Sequence, residues 1–304
     1  MDVRYITLTK GNLKVTFSSL GAAIVSIYFD DELMTLTPIS AEDFKRRDIY
    51  YGKTIGPVVN RIKDGLIKID NKEYHFPLNE EGICNHSGNI GLSNILFVSS
   101  VAGDRVVFTY QQKINDIRIS YGIAYTLLDN NQLRVDYITR ASGKFVMSLT
   151  NHTFFTLGES SIDNLSLKIS ADKYIESDKE TLLPLSEKAI IDCLDFNEEK
   201  SVIKDISNPY LMEHKTKGYD HCFLVKNNEE VILKSPKFSL EIESDFPCVH
   251  LYSDNYEDGV KTKNSIAQVR RGIAIEPEDN LLNRPIINSN DIYQRYIIYK
   301  FSKL

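Results

Sequence analysis

At 304 residues the chain is long enough to bury a large core, and its 42% apolar and 26% charged residues suit a globular protein. The formal charge of −6 comes from acids and bases interspersed along the chain, which excludes the basic stripe of a nucleic-acid binder and favours a neutral or weakly charged ligand. No apolar run approaches the ~20 residues that span a bilayer, so no membrane partner is expected.

From the first residues onward the pattern is that of strands. "MDVRYITLTKGNLKV" lacks the basic head and apolar stretch of a secretory signal, and "LKVTF" reads as an early strand. "SAEDFKRRD" has room for a turn or two of helix, and helical periodicity is otherwise scarce. "LIKIDNKEYHF" predicts a hairpin about Asp70-Asn71. "RVVFTY" follows. In "IRISYGIAYTL", Ile117, Ile119, Tyr121, Ile123, Tyr125 and Leu127 fall on one face, and "DNN" turns the chain back so that Leu133, Val135 and Tyr137 alternate again. Further strands are expected at "LSLKIS", "VHLYS", "GIAIE" and "RYIIYKF", with a third hairpin, "VILKSPKFSLEIE", about Ser235-Pro236. Short intervals without βαβ spacing predict antiparallel sheets packed as a large β-sandwich. With no linker and no repeat, residues 1–304 read as a single all-β domain.

Cys84, Cys193, Cys222 and Cys248 show neither CxxC nor zinc spacing, so reduced thiols in a cytoplasmic protein are expected, with no metal and no cofactor. "NHT" at 151–153 matches a glycosylation sequon, but an unsecreted chain does not meet the modifying enzyme. A monomer or homodimer is expected.

Five segments interrupt the alternation with clustered polar groups. They are "GPVVNRIKDG" with Asn60 and Arg61, "ICNHSGNIG" with His86, "SLTNHTFFTLGE" with His152, "KGYDHCFLV" with Asp220 and His221, and "GIAIEPEDN" with Glu276. In the last of these, Pro277 is expected to end the strand. Singly, each has an ordinary explanation. Arg61 could be a solvated charge, His86 a loop cap, Asp220 a turn residue, Glu276 an edge carboxylate and His152 a packed core histidine.

Taken together and in order, "NRI" after a glycine, the His-Ser-Gly loop, "LTNHTFF", "GYDH" and a strand ending in "EP" resemble the aldose 1-epimerases (galactose mutarotases), from residue 56 to residue 278. The sequence departs from that family's pattern at Pro57, where an arginine is common, at Ser87 within a His-Gly-Gly loop, and at Phe97, near where a tryptophan is frequent. The resemblance implies a large β-sandwich and an enzyme that interconverts the α and β anomers of free aldoses such as galactose or glucose. It assigns Glu276 as base and His152 as acid. Arg61, His86 and Asp220 would then position the sugar, with Asn60, Tyr252 and Phe155 lining the pocket and His221 supporting Asp220.

The chemistry agrees. Ring opening removes the anomeric hydroxyl proton and protonates the ring oxygen, which suits a carboxylate and an imidazolium with ordinary pKa values near ~4.3 and ~6.5. Asn151 and Thr153 are expected to orient the His152 ring, Phe154 and Phe155 to exclude water, and Glu276 to raise the His152 pKa. Four other readings remain open at this point: a metal hydrolase using the histidines and carboxylates, a glycosidase using Asp220 and Glu276, a silent sugar-binding or sensor protein, and a hexose-6-phosphate epimerase. The last would need an arginine cluster, which the sequence does not offer.

Overall fold

In the computed structural model, which describes residues 2–226 and 231–304, the alternating segment from Ile117 becomes the longest strand, Ile117–Leu128. Its odd-numbered residues from Ile117 to Leu127 are all buried. It returns through Asn130 and Asn131, both at positive φ, into Gln132–Ala141, with Leu128 opposite Gln132. Asparagine tolerates the left-handed region, so the turn closes without glycine. The other two expected hairpins form as well, pairing Leu66–Ile69 with Lys72–His75 and Val231–Lys234 with Phe238–Ser244.

Nine strands make the larger sheet. It runs from Val98–Ala102 through Arg105–Ile114, the central hairpin and Tyr293–Lys303 to Phe238–Ser244, Val231–Lys234, Ser166–Ile169 and Lys200–Ser201. Six make the second, in the order Phe154–Phe155, Ile273–Glu278, Cys248–Tyr252, Asp220–Val225, Ala171–Ser177, Pro184–Ala189. Neighbours pair antiparallel throughout both. Tyr125, Tyr137 and Tyr299 of the larger sheet share one apolar core with Phe155, Phe223, Leu251 and Ile275 of the smaller. The Phe155 and Tyr299 rings lie 5.2 Å apart across it. The all-β sandwich is therefore as expected. Helix is confined, among the described residues, to short pieces. Ala41–Lys45 is capped by Ser40, whose hydroxyl accepts from the Glu42 and Asp43 amides. Pro209–Glu213 has Asn208 as its cap.

Pro277 does not end its strand, contrary to expectation: Ile273–Glu278 runs straight through it. Pro277 lies opposite Val249 on one side, and on the other the neighbouring strand reaches only as far as Ala274. On that side no ladder needs the missing N–H.

Period-two alternation divides the smaller sheet. Phe223, Val249, Leu251, Ile273 and Ile275 enter the core. Asp220, Cys222, His250, Tyr252, Glu276 and Glu278 therefore share the opposite face.

Candidate active site

That polar face floors a cleft of about 410 Å³, a size suited to a small ligand. Strands of the smaller sheet supply Asp220, His250, Tyr252, Glu276 and Glu278, while the facing wall brings Asn60 and His86 from turns and Arg61 from the start of the short strand Arg61–Lys63. Both kinds of wall are fixed by backbone constraints that the sequence had to meet.

His152 follows the short strand Thr150–Asn151. Its amide donates to Lys53 O at 3.0 Å, and its carbonyl accepts from Gly52 N at 2.8 Å. Gly52 adopts φ +63°, and a Cβ there would stand 1.8 Å from the Ile24 carbonyl oxygen. Only glycine lets this segment, bonded to the His152 backbone, run so close to the Ile24 backbone. The His152 ring packs against Phe154 (4.9 Å) and Tyr50 (5.6 Å), and its Nε2 lies 3.5 Å from Glu276 Oε1. Residues 124 apart in sequence thus meet.

Asn151 and Thr153 do not orient the ring. Asn151 Nδ2 donates to Gly52 O and to the Tyr125 hydroxyl, and the Thr153 hydroxyl donates to Asn151 Oδ1. Neighbours on an extended chain point away from one another, so these two side chains anchor the backbone instead. The same alternation corrects the pocket lining. Phe154 faces the cleft, whereas Phe155 is fully buried in the core and lines nothing.

The expected upward shift of His152 is also reversed. Burial depresses its pKa to about 4, and burial raises the Glu276 carboxyl well above the usual carboxylate range, with Glu278 and Asp220 adding to the effect and His250 opposing it. Desolvation outweighs the attraction the pair would gain as ions.

His86 and Asn60 both take positive φ. His86 Nδ1 accepts from the Asn60 amide at 3.2 Å, which leaves the ring proton on Nε2. Burial holds this imidazole neutral, its pKa well below the ordinary value. Ser87, at the departure from His-Gly-Gly, accepts from Val58 N and donates to Val58 O, tying the loop down.

Arg61 lies between two carboxylates, Nη1 3.6 Å from Asp220 Oδ2 and Nε 3.5 Å from Glu80 Oε2. Asp220 Oδ1 accepts from His250 Nε2 at 2.6 Å. Burial alone would raise the Asp220 pKa, but Arg61 and His250 outweigh it and hold the carboxyl well below its usual range. His221 stays out of the cleft: its Nδ1 accepts from the Asp220 amide at 3.0 Å, and its ring packs on Tyr174 and Tyr210. It supports Asp220, as expected. Tyr252 lines the cleft, its hydroxyl accepting from Asn255 N.

Sequence reasoning missed His250, Glu278, Tyr50 and Glu80, all of which line the cleft. Two of these had a signal. In "CVHLYSD" alternation puts His250 on the face of Tyr252, and Glu278 follows Glu276 by two. Nor do His86, His152 and His221 gather into a ligand set. Among the described residues, the cluster with potential ligand atoms within 4.8 Å of one another is Cys222, His250 and Glu278. All four cysteines are free and buried, and no helix among the described residues is long and apolar enough to cross a membrane.

Comparison with known proteins points to one family and one fold. The family model described as aldose 1-epimerase matches residues 4–300. Galactose mutarotase from Homo sapiens is 28% identical, covering 95% of this chain and 91% of its own. Aldose 1-epimerase from Haemophilus influenzae is 28% identical over 90% of this chain and 85% of its own. Among solved structures, an aldose epimerase homologue from C. elegans superposes with a TM-score of 0.88 at 23% identity, each chain covered completely. With a family match across nearly its whole length, on the β-sandwich and around the cleft just described, the chain belongs to the aldose 1-epimerase family.

Proposed function

We propose that the protein is a mutarotase interconverting the α and β anomers of a free aldohexose such as galactose or glucose, with Glu276 and His152 as its acid–base pair. The observation that carries this reading is the approach of His152 Nε2 to Glu276 Oε1 within a cleft whose other groups suit sugar hydroxyls. In ring opening, the Glu276 carboxylate takes the proton from the anomeric hydroxyl, C1 becomes an aldehyde as its bond to the ring oxygen breaks, and His152 protonates that oxygen. Rotation about C1–C2 and the reverse transfers close the other anomer.

The pair needs one proton between its two members, and the open-chain stage leaves it on Glu276 with His152 neutral. Burial favours that same distribution in the resting pair, so the shared proton must first pass from Glu276 to His152, and ring opening returns it to Glu276. His86 Nε2–H, Arg61 and the ionised Asp220 offer two donors and an acceptor to the substrate hydroxyls. Asn60 and Tyr252 complete the wall.

Polarimetry tests the reading. Freshly dissolved α-D-galactose or α-D-glucose should relax to the α/β equilibrium faster with the protein than without it. Glu276→Gln and His152→Gln should each lower kcat by ~10²–10⁴ with an unchanged circular dichroism spectrum. Unaccelerated relaxation across a panel of free aldoses would overturn it, and near-normal turnover in either variant would remove that residue from the pair.

A further inference from the structure

His250 is the most heavily engaged titratable group beside the cleft, and the acid–base pair does not explain it. Its ring is buried, facing Cys222 on one neighbouring strand and Glu276 on the other. Nε2 meets Asp220 Oδ1 at 2.6 Å. Nδ1 faces two groups of opposite character, Glu278 Oε1 at 3.3 Å and Asn60 Nδ2 at 3.4 Å. The Asn60 amide is oriented, because its Oδ1 already accepts from Arg61 N at 2.8 Å. Glu278 Oε1 is buried without a formed hydrogen bond among the described residues, and a buried carboxylate needs a counter-charge.

Three carboxylates surround this point: Asp220 from one strand, Glu276 and Glu278 from another. The cations that can answer them are Arg61, at the start of the strand Arg61–Lys63, Arg284, which lies in the field of Glu278 and donates to the Val59 and Arg61 carbonyls, and His250, whose ring lies nearest to both Asp220 and Glu278. His152 and His86 across the cleft are held neutral by burial, and the thiol of Cys222 is pushed up by burial and so adds no charge.

We infer that His250 is a positioning residue of the mutarotase site, an imidazolium bridging Asp220 and Glu278 that fixes Asp220 for the substrate and keeps Glu276 competent as a base. The inference rests on the proposed mutarotase reading. With Nδ1 protonated the ring donates to both acids. With Nδ1 bare it accepts from Asn60 and releases Glu278, while Nε2–H stays on Asp220. The ring has a partner in either state, so its charge can change without a change of rotamer. Burial opposes the charge, but Asp220 and Glu278 outweigh it and hold the His250 pKa well above the ordinary value. The charge in turn lowers the Glu276 pKa towards the carboxylate that ring opening requires. Loss of the His250 proton at high pH should therefore slow turnover by disarming the base.

The test uses the full chain and two readouts. Nitrogen NMR of the histidine rings, with His250 assigned by the loss of its signal in His250→Gln, should show both ring nitrogens protonated at pH 7. Glu278→Gln removes one of the two acids, so His250 should lose its proton at lower pH, and the alkaline limb of kcat/KM should move down by at least one pH unit. His250→Gln should raise KM and lower kcat at pH 7, each tenfold or more, and His250→Gln/Glu278→Gln, which deletes both charges, should recover part of that loss. A neutral His250 ring at pH 7, or an alkaline limb unmoved by Glu278→Gln, overturns the inference. So does stoichiometric zinc whose removal by chelator abolishes activity, because Cys222, His250 and Glu278 would then be ligands. If the wild type fails to accelerate mutarotation while its His250 ring is doubly protonated, the mutarotase reading fails and the charge bridge survives.

Discussion

A histidine that starts neutral alters what the pH dependence of catalysis should report. In water an imidazole acid would gain its proton near pH 6.5. In this cleft burial lowers the His152 value to about 4 and raises that of Glu276. The pair therefore keeps its single shared proton down to the lower value, and a second proton enters only there. The acid limb of kcat/KM, followed by polarimetry, is expected close to pH 4. A limb near 6.5 would show that the ring is solvated in the working enzyme. At this scale the sequence already singled out His152, Glu276, Arg61, His86 and Asp220, each in a polar cluster that breaks a simple alternation, and the resemblance to the aldose 1-epimerases joined them into one set. Sequence reasoning misjudged where the proton rests, since desolvation depends on every atom packed around the pair.

Among the elements, the segment entering the strand that bears Glu276 carries a buried clamp. Arg271 precedes Ile273–Glu278 and is 2% exposed. Its Nε and Nη2 grip Asp254 at 2.6 and 3.0 Å, Nη1 donates to Val260 O, and Nη2 donates to the Tyr51 hydroxyl. It thereby ties the loop after Tyr252 to the cleft wall around Tyr51. Arg271→Ala leaves Asp254 buried and unpaired, which should cost about 3–5 kcal/mol and lower Tm by on the order of 10 °C. Arg271→Lys should recover only part of it, for lack of the planar fork. Thermal denaturation measures both. Strands were legible because period two is a local property, whereas this clamp joins residues more than two hundred positions apart. The passage of the strand through Pro277 was hidden for a related reason: a proline is tolerated where the neighbouring strand has already ended.

For the whole molecule, the buried neutral histidines predict acid sensitivity. The folded pKa values of His86, His152 and His221 all lie below that of an unfolded histidine. Their contribution to stability is present above about pH 6.5 and is lost as pH falls, because the unfolded chain takes up protons that the folded chain refuses. Asp220, with its lowered value, acts in the same sense at lower pH. Glu276 and His250 have raised values and act oppositely. The three histidines should prevail between pH 7 and pH 5, lowering Tm by on the order of 5 °C. A calorimetric Tm flat across that interval would contradict their burial. By itself the sequence determined the strands, the antiparallel sandwich and the polar segments that break the alternation, since alternation and turn residues act over a few positions. Only the tertiary structure decided which neighbours face the cleft, with Phe154 in it and Phe155 in the core. It also brought His250 and Glu278 to the acids beside them and set the protonation of the pair. Strand register and burial create those properties, and both belong to the assembled sheets.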